Sequence, residues 1–205
     1  MKYVDNIQKI AALEPDYLGF IFYEKSKRNF EGIIPELPKG IKKVGVFVNE
    51  IVEIVVSLIE EYHLDVVQLH GDESVAYIKQ LRRYIAESSN RHLKNLDVIK
   101  VFSVGQTFDF DRLDPFEGVV DYFLFDTKGK ERGGNGTTFN WEILQAYPYE
   151  KPFFLSGGIG LKELNTIKAL KKTTLPIFAL DVNSQFETQP GVKSVEQIQH
   201  FKNEI

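Results

Sequence analysis

Short apolar runs alternate with stretches of helical period along most of the chain. Seven runs rich in β-branched and aromatic residues begin near positions 17, 43, 65, 97, 121, 152 and 177, at intervals of 22 to 32 residues. Between them, apolar residues recur at the spacing of one helix face, most clearly in Ile51, Ile54, Val55, Leu58, Ile59 and Tyr62. Buried strands that alternate with amphipathic helices are typical of a parallel sheet covered by helices. The pattern therefore predicts a βα repeat.

Capping residues predict where several helices begin. A first helix is predicted over positions 1 to 14, with Asp5 or Asn6 as its N-cap. Asn49 is the candidate N-cap of the helix that follows the second strand. Ser194 and Gln197 form a capping-box pattern ahead of the terminal helix. Only short helices are predicted over positions 108 to 116 and 140 to 147, where the apolar period is weak.

These elements predict an α/β fold, namely a (β/α)8 TIM-type barrel of parallel strands that forms a single domain over residues 1 to 205. About eight strands close such a barrel, and a chain of this length is sufficient for it. Only seven strands are counted and the chain opens on a helix, so we expect that the first strand has been lost from the front. An open doubly wound sheet is the alternative.

Composition narrows the classes of function. Apolar residues make up 43% of the chain and charged residues 26%, which is ordinary for a globular protein. No run of about eighteen apolar residues and no signal-peptide pattern is present, so we expect a cytoplasmic protein without a membrane partner. The net charge is −4 and the basic residues are scattered, which argues against a nucleic-acid partner. The absence of cysteine excludes a thiolate metal site or a cysteine nucleophile within these 205 residues.

The ends of the predicted strands carry the candidate chemistry, because in a βα barrel all of them face one mouth. The residues there are Arg28, Asn49, Gln68, His70, Ser103, Asp126, Ser156, Gly157, Gly158, Asp181, Asn183 and Ser184. The last two strands end in Gly157-Gly158 and Asn183-Ser184, and backbone amides and a hydroxyl at those positions predict a phosphate site. Taken alone, Asp126 is typical of a strand cap and a glycine pair is typical of a tight turn. Their convergence at one mouth favours a binding site.

Several segments occur in the order and at the strand ends of one enzyme family. They are Leu18-Gly19-Phe20-Ile21-Phe22 with Lys25-Ser26-Lys27-Arg28, Val46-Phe47-Val48-Asn49, Val67-Gln68-Leu69-His70-Gly71, Phe125-Asp126-Thr127, the loop of positions 133 to 136 with Phe139 and Trp141, Ser156-Gly157-Gly158, and Asp181-Val182-Asn183-Ser184. Together they resemble the phosphoribosylanthranilate isomerases, tryptophan-pathway enzymes with an eight-stranded βα barrel. The similarity runs from about position 5 to position 201.

The resemblance implies an Amadori rearrangement that needs neither a cofactor nor a metal. A general acid protonates the ribose ring oxygen and opens the furanose, and a general base then removes the C2′ proton. Asp126 matches the family's general acid, and we expect an apolar wall of Phe123 and Phe125 to raise its pKa. Arg28 matches the residue that engages the anthranilate carboxylate, a use that suits its planar guanidinium.

The resemblance also implies the ligand, a small phosphorylated aromatic aminosugar, and the other residues that contact it. Gln68 and His70 line the mouth in similar enzymes, and Gly134 lies in the glycine loop expected to fold over the ligand. The phosphate cradle is matched by Gly157, Gly158, Asn183 and Ser184. The sequence leaves the oligomeric state open.

Two departures from the family pattern are evident. The family's general base is a cysteine in a Lys-x-Cys-Gly segment of the first strand, and Met1 here aligns with the residue that follows that segment. We expect that about eight upstream residues are missing and that the chain as given is inactive or nearly so, because loss of a base typically costs about 10²- to 10⁴-fold in rate. The second departure is Gln185, which stands where similar enzymes have glycine; a positive φ there would strain its Cβ.

Two rival interpretations remain. Another ribose-phosphate or triose-phosphate barrel enzyme, such as an indole-glycerol-phosphate synthase, would require a catalytic lysine and a glutamate at strand ends. Lys100 lies inside a strand, and the sequence indicates no strand-end glutamate beside it. The other rival is a phosphate-binding barrel without catalysis.

Overall fold

Seven parallel strands form the sheet of this protein. A computed structural model describes residues 1–90, 92–127 and 138–205. Every predicted strand is present, with ends within about two residues of those expected. The strands are β1 (Tyr17–Phe22), β2 (Lys42–Phe47), β3 (Val66–Leu69), β4 (Asp97–Val104), β5 (Tyr122–Thr127), β6 (Phe153–Leu155) and β7 (Ile177–Leu180).

Helices follow most of the strands and cover the outer face of the sheet. They are α1 (Val4–Ala11), α2 (Val52–Tyr62), α3 (Val75–Glu87), α4 (Asp114–Glu117), α5 (Leu164–Leu170) and α6 (Val195–Glu204). Short 3-10 helices lie at Leu93–Asn95, Phe110–Leu113, Trp141–Ala146, Leu161–Glu163 and Ser184–Phe186. In the described part of the chain no helix has the length and apolar character needed to cross a membrane.

The predicted helix caps are only partly correct. Ser194 caps α6, because its hydroxyl accepts a hydrogen bond from the Gln197 amide. Asp5 and Asn6 lie inside α1 rather than before it. Asn49 is not the cap of α2; its φ is +53° and its Oδ1 accepts the Asp72 amide across the neighbouring loop. A tertiary hydrogen bond thus replaces the local one that the sequence indicated.

The strands lie in sequence order from β1 to β7, and each pairs in parallel with the next. A doubly wound sheet would reverse its strand order at a switch point, so that alternative is wrong. The sheet instead curls as a seven-stranded part of a barrel. Among the described residues β1 and β7 are its two edges and do not pair with each other. Met1 lies at this edge, where its nitrogen donates to the Gly19 carbonyl.

Alternate residues of each strand face opposite sides of the sheet and form two apolar layers. The inner layer fills the barrel with Val44, Val46, Val66, Ile99, Val101, Leu124 and Phe154. The layer under the helices includes Phe47, Val98, Phe102, Phe123, Phe125, Phe153 and Leu155. On β5, Leu124 and Asp126 therefore face inward. The expected apolar wall of Phe123 and Phe125 beside Asp126 is wrong, because those rings belong to the helix-facing layer.

An antiparallel hairpin that the sequence did not predict follows β7. Its strands are β8 (Glu187–Gln189) and β9 (Val192–Lys193), and Gly191 between them has a φ of +85°. That backbone conformation favours glycine, and Pro190-Gly191 forms the tip of the hairpin. Asn6 of α1 binds the backbone of Lys193 in both directions, with distances of 2.9 and 2.8 Å. The hairpin is thereby fixed to the first helix.

Candidate active site

A cavity of about 460 Å³ lies at the carboxyl ends of the strands and extends between β1 and β7 to Asp16 and Ile177 at their amino ends. Its lining includes all the predicted site residues that the structure describes, namely Arg28, Gln68, His70, Asp126, Gly157, Gly158, Asn183 and Ser184. Gly134 lies outside the described residues. Asn49 and Ser103, which the strand ends also suggested, do not line the cavity. The cavity continues between the edges of the sheet, along Leu18 and Ala179.

Asp126 is buried at the end of β5, and its two carboxyl oxygens have different partners. Oδ1 accepts the amide of Thr127 at 2.8 Å. Oδ2 lies 3.3 Å from Nε2 of His70. The carboxyl group is thus held between the backbone at the end of β5 and the His70 ring after β3.

His70 is oriented by Gln68, two residues earlier on the same inward-facing side of β3. The Gln68 amide nitrogen lies 3.3 Å from His70 Nδ1. An amide nitrogen donates, so Nδ1 is the acceptor and the ring proton sits on Nε2, toward Asp126. Gln68, His70 and Asp126 thus form one directed chain of hydrogen bonds along the cavity wall. Within the ranges described, no three His, Asp or Glu side chains are grouped to hold a metal ion.

The end of β6 packs directly against the end of β5 at Gly157. Its φ is +89°, and a Cβ there would lie 2.3 Å from Thr127 Oγ1 and 3.1 Å from Asp126 Oδ1. Glycine is required at this position for its backbone conformation and for the close approach of the two strands. Gly158 also has a positive φ, +68°. The predicted phosphate cradle therefore lies immediately beside the predicted acid.

A second carboxyl group stands at the end of β7. Asp181 accepts a hydrogen bond from Ser156 Oγ at 3.0 Å and lines the same cavity. Burial raises the pKa of Asp181 above its ordinary value, and the neighbouring Asp126 carboxylate raises it further. The site thus contains two interacting carboxyl groups, one on β5 and one after β7.

Asn183 and Ser184 follow Asp181 and begin a 3-10 turn. The Asn183 side-chain oxygen accepts a hydrogen bond from Lys193 Nζ. Gln185 is not among the residues with positive φ, so the expected strain at that position is absent. Its side chain instead packs against Gly160, where a Cβ would lie 3.2 Å from Gln185 Cβ.

Arg28 reaches the cavity from the loop after β1 and is held there by a carboxylate. Glu187 accepts hydrogen bonds from Arg28 Nε at 2.9 and 3.0 Å and from Nη2 at 2.7 Å. Lys193 Nζ lies 3.0 Å from the same Glu187. Burial opposes ionisation of Glu187, but the hydrogen bonds from Arg28 and Lys193 outweigh it and lower the pKa of the carboxyl.

Lys100 has a partner that the sequence did not reveal. Its Nζ lies 3.1 Å from Glu73, just past the end of β3, and also donates to the Gly71 carbonyl at 2.8 Å. The inference that no strand-end glutamate accompanies Lys100 is therefore wrong. Neither residue lines the cavity, however, because Lys100 lies on the helix-facing side of β4, under the rings that include Phe102. The pair holds the loop that follows His70 rather than a ligand.

Three charged residues near the site were not singled out from the sequence. Glu73 is one acid among several in a polar loop, and nothing local marks it as buried. Glu187 and Lys193 follow a turn rather than a strand end, so polarity at the strand ends does not mark them.

Sequence comparison identifies relatives over the whole chain. The sequence profile of the family N-(5'phosphoribosyl)anthranilate (PRA) isomerase matches residues 1–204. An N-(5'-phosphoribosyl)anthranilate isomerase of Parabacteroides distasonis is 38% identical over 212 residues, which cover 100% of this chain and 90% of that protein. One from Caldanaerobacter subterraneus is 37% identical, with 100% and 94% covered.

Solved structures give the same result. The phosphoribosyl anthranilate isomerase of Thermus thermophilus superposes with a TM-score of 0.79 at 26% identity, over 100% of this chain and 94% of that one. Another was solved in complex with reduced 1-(o-carboxyphenylamino)-1-deoxyribulose 5-phosphate. Its TM-score is 0.73 at 26% identity, with 97% and 91% covered. The fold, the profile match and the full-length identity together show that this chain belongs to the N-(5'-phosphoribosyl)anthranilate isomerase family.

Proposed function

We propose that this chain acts on N-(5'-phosphoribosyl)anthranilate and isomerises it to the 1-deoxyribulose 5-phosphate ketose, a step of tryptophan biosynthesis. The observation that carries the proposal is the meeting of Asp126, Arg28 and the Gly157 and Ser184 turns around one cavity. Family membership supports the same reaction. A carboxyl group, a guanidinium and a nest of amides suit a ligand with a ring oxygen, a carboxylate and a phosphate.

The two ends of the substrate are bound by different elements in this proposal. The phosphate lies against the amides of Gly157 and Gly158, whose positive φ turns backbone N–H groups toward it, and against the side chains of Asn183 and Ser184. The anthranilate carboxylate is paired with Arg28. A solved relative binds a ligand that carries both groups, a carboxyphenyl ring and a 5-phosphate.

Asp126 is the general acid of the first step. Its carboxyl proton is transferred to the ribose ring oxygen, the bond from that oxygen to C1′ breaks, and the nitrogen lone pair forms a C1′=N iminium. The Asp126 carboxylate that results is stabilised by the N–H groups of Thr127 and His70. Gln68 keeps the His70 proton on the nitrogen that faces Asp126.

The second step removes the C2′ proton, and its electron pair forms the C1′=C2′ bond of an enolamine that tautomerises to the ketose. In the family pattern the proton acceptor is a cysteine, and these 205 residues contain none. The base is therefore not assigned to a residue of this chain.

Two measurements, of ligand binding and of turnover, test different parts of the proposal. Calorimetry measures binding of reduced 1-(o-carboxyphenylamino)-1-deoxyribulose 5-phosphate, which we expect to bind the 205-residue chain. Consumption of N-(5'-phosphoribosyl)anthranilate is followed by fluorescence, for this chain and for one preceded by a Lys-x-Cys-Gly strand. In the form preceded by the Lys-x-Cys-Gly strand, we expect Asp126→Asn to keep analogue binding and to lower turnover by about 10²- to 10⁴-fold.

Asp111→Asn is the matched control, because Asp111 is exposed and lies outside the cavity. Failure of the wild-type chain to bind the analogue would contradict the proposed substrate. Binding without turnover in both forms of the chain would instead indicate a phosphate-binding barrel without catalysis.

A further inference from the structure

Glu187 connects the two ends of the proposed ligand site. Its carboxylate is buried, with 4% of the side chain exposed, and receives three hydrogen bonds from Arg28. It also accepts from Lys193 Nζ at 3.0 Å and from the Gly191 amide at 3.1 Å. Lys193 donates in turn to Asn183. We call Glu187, Arg28, Lys193 and Asn183 the Glu187 hub.

The position of the hub is set from outside the ligand site. The backbone of Lys193 is clamped by the side chain of Asn6. The amide of Ser194 donates to the Phe186 carbonyl at 2.7 Å, which ties the two ends of the hairpin together. Glu187 is thus fixed by the fold before any ligand binds, and a fixed carboxylate can orient a flexible arginine.

The hydrogen bonds to Glu187 use only one edge of the Arg28 guanidinium. An arginine has five N–H donors in a planar fork, and the Nε–Nη2 edge is the one that faces Glu187. Nη1 makes no hydrogen bond to any described residue. The Nη1–Nη2 edge has the geometry that binds a second carboxylate through two parallel bonds. Arg28 keeps 18% of its side chain exposed and lines the cavity, so this edge is available to a ligand.

The hub contains two basic side chains, Arg28 and Lys193, and one acidic side chain, Glu187, so it has one basic group more than acidic groups. The carboxyl groups of Asp126 and Asp181 line the same cavity. Glu187 holds both basic groups of the hub in place.

We propose that Glu187 is a positioning residue that gives the site its selectivity for a ligand carboxylate. It holds Arg28 by one edge so that the other edge binds the carboxylate, and through Lys193 it holds Asn183 at the phosphate end. The proposal rests on the proposed function, because it assumes a ligand with a carboxylate at Arg28 and a phosphate at Asn183.

Calorimetry with two ligands tests this role. One is reduced 1-(o-carboxyphenylamino)-1-deoxyribulose 5-phosphate, and the other is the same compound with a phenyl ring that lacks the carboxylate. In the wild type we expect the carboxylate ligand to bind about tenfold more tightly or better, which corresponds to one charge-assisted contact. In Glu187→Gln that preference should be lost, because the ligand with the carboxylate loses more affinity than the ligand without it, whereas any weakening through Lys193 and Asn183 affects both ligands alike.

The direction in which the affinity for the carboxylate ligand changes distinguishes a positioning role of Glu187 from a purely electrostatic one. Removing a negative charge beside two cations would strengthen binding of the carboxylate ligand if Glu187 merely competed with it for Arg28. Tighter binding in Glu187→Gln would therefore overturn the proposal, and so would an unchanged preference. Glu196→Gln is the matched control, because it removes the same charge from an exposed position on α6 and should leave both affinities unchanged.

Lys193→Met tests the phosphate arm of the hub. Both ligands carry the phosphate, so we expect both affinities to fall by a similar factor while the carboxylate preference is kept. Thermal unfolding of each variant identifies the temperature at which it is folded, and affinities are compared there. If the wild type binds neither ligand, the proposed function fails; if it binds with a carboxylate preference that Glu187→Gln keeps, only the role of Glu187 fails.

Discussion

Two buried ion networks lie on opposite sides of the sheet at the strand ends. On the helix-facing side, 4% of the Lys100 side chain and 1% of the Glu73 side chain are exposed, and Lys100 Nζ also donates hydrogen bonds to backbone carbonyls. On the cavity side, Arg28 keeps 18% of its side chain exposed and lines the cavity. The first network ties strands and loops together, and the second presents a cation to a ligand. The chemistry of an ion pair alone does not distinguish these uses; the side of the sheet does.

Removing one partner of the helix-facing network should have the largest effect on stability. Lys100→Met leaves the Glu73 carboxylate buried without its cation, although the amides of Gly71 and Asn49 still donate to it. An unpaired buried charge typically costs about 3–5 kcal/mol. Urea unfolding should show a loss of that size in the free energy of unfolding.

The double variant Lys100→Met with Glu73→Gln is the control, because it removes both charges. It should recover a large part of the loss, since replacing a buried pair is far less costly than breaking it. Equal stability of the single and double variants would show that the pair is not the source of the effect.

Gly157→Ala should have the next largest effect, and it acts on the cavity side. The positive φ costs a residue with a Cβ about 1–3 kcal/mol, and the added atom would collide with Thr127 at the end of β5. Gly118→Ala, just after α4, is the matched control, because a Cβ there meets nothing within 4 Å and Gly118 does not line the cavity. We expect thermal unfolding and analogue affinity to change in the first variant and to stay near the wild type in the second.

Asp181→Asn should increase stability, in contrast to the changes above. The pKa of Asp181 is raised in the folded state, so the folded protein holds a proton that the unfolded chain releases above pH 3.8. Stability is therefore lost as pH rises through the folded pKa, and the asparagine variant avoids this loss. The difference in the free energy of unfolding between variant and wild type should grow from pH 3.8 toward neutrality. A difference that does not vary with pH would contradict this origin.

Lys42→Met should have the smallest effect and sets the baseline for an exposed pair. Lys42 lies 2.8 Å from Asp97, but 45% of its side chain is exposed. Pairs of that kind contribute about 1 kcal/mol or less. Urea unfolding of this variant beside Lys100→Met compares an exposed pair at 2.8 Å with a buried pair at 3.1 Å. Similar losses would show that burial of the pair does not set its contribution to stability.

The strands and the polar residues at the cavity opening could be predicted because the sequence pattern that marks them is local. A buried strand must be apolar and a ligand-facing end must be polar, so Phe125-Asp126 and Leu155-Ser156 mark the boundary in the sequence itself. The wall of Phe123 and Phe125 was misplaced for a related reason. Adjacent residues of a strand face opposite sides, so the neighbours of Asp126 in sequence cannot be its neighbours in the cavity.

The sequence by itself determined the βα order, the seven strands, the family resemblance and the residues at the strand ends, because periodicity and strand-end polarity are written within short segments. Only the tertiary structure decided which charges meet. Arg28 and Glu187 are 159 positions apart, and the hairpin that joins them is positioned by Asn6 from the opposite end of the chain. Contacts of that kind depend on chain closure and burial, which no local pattern records.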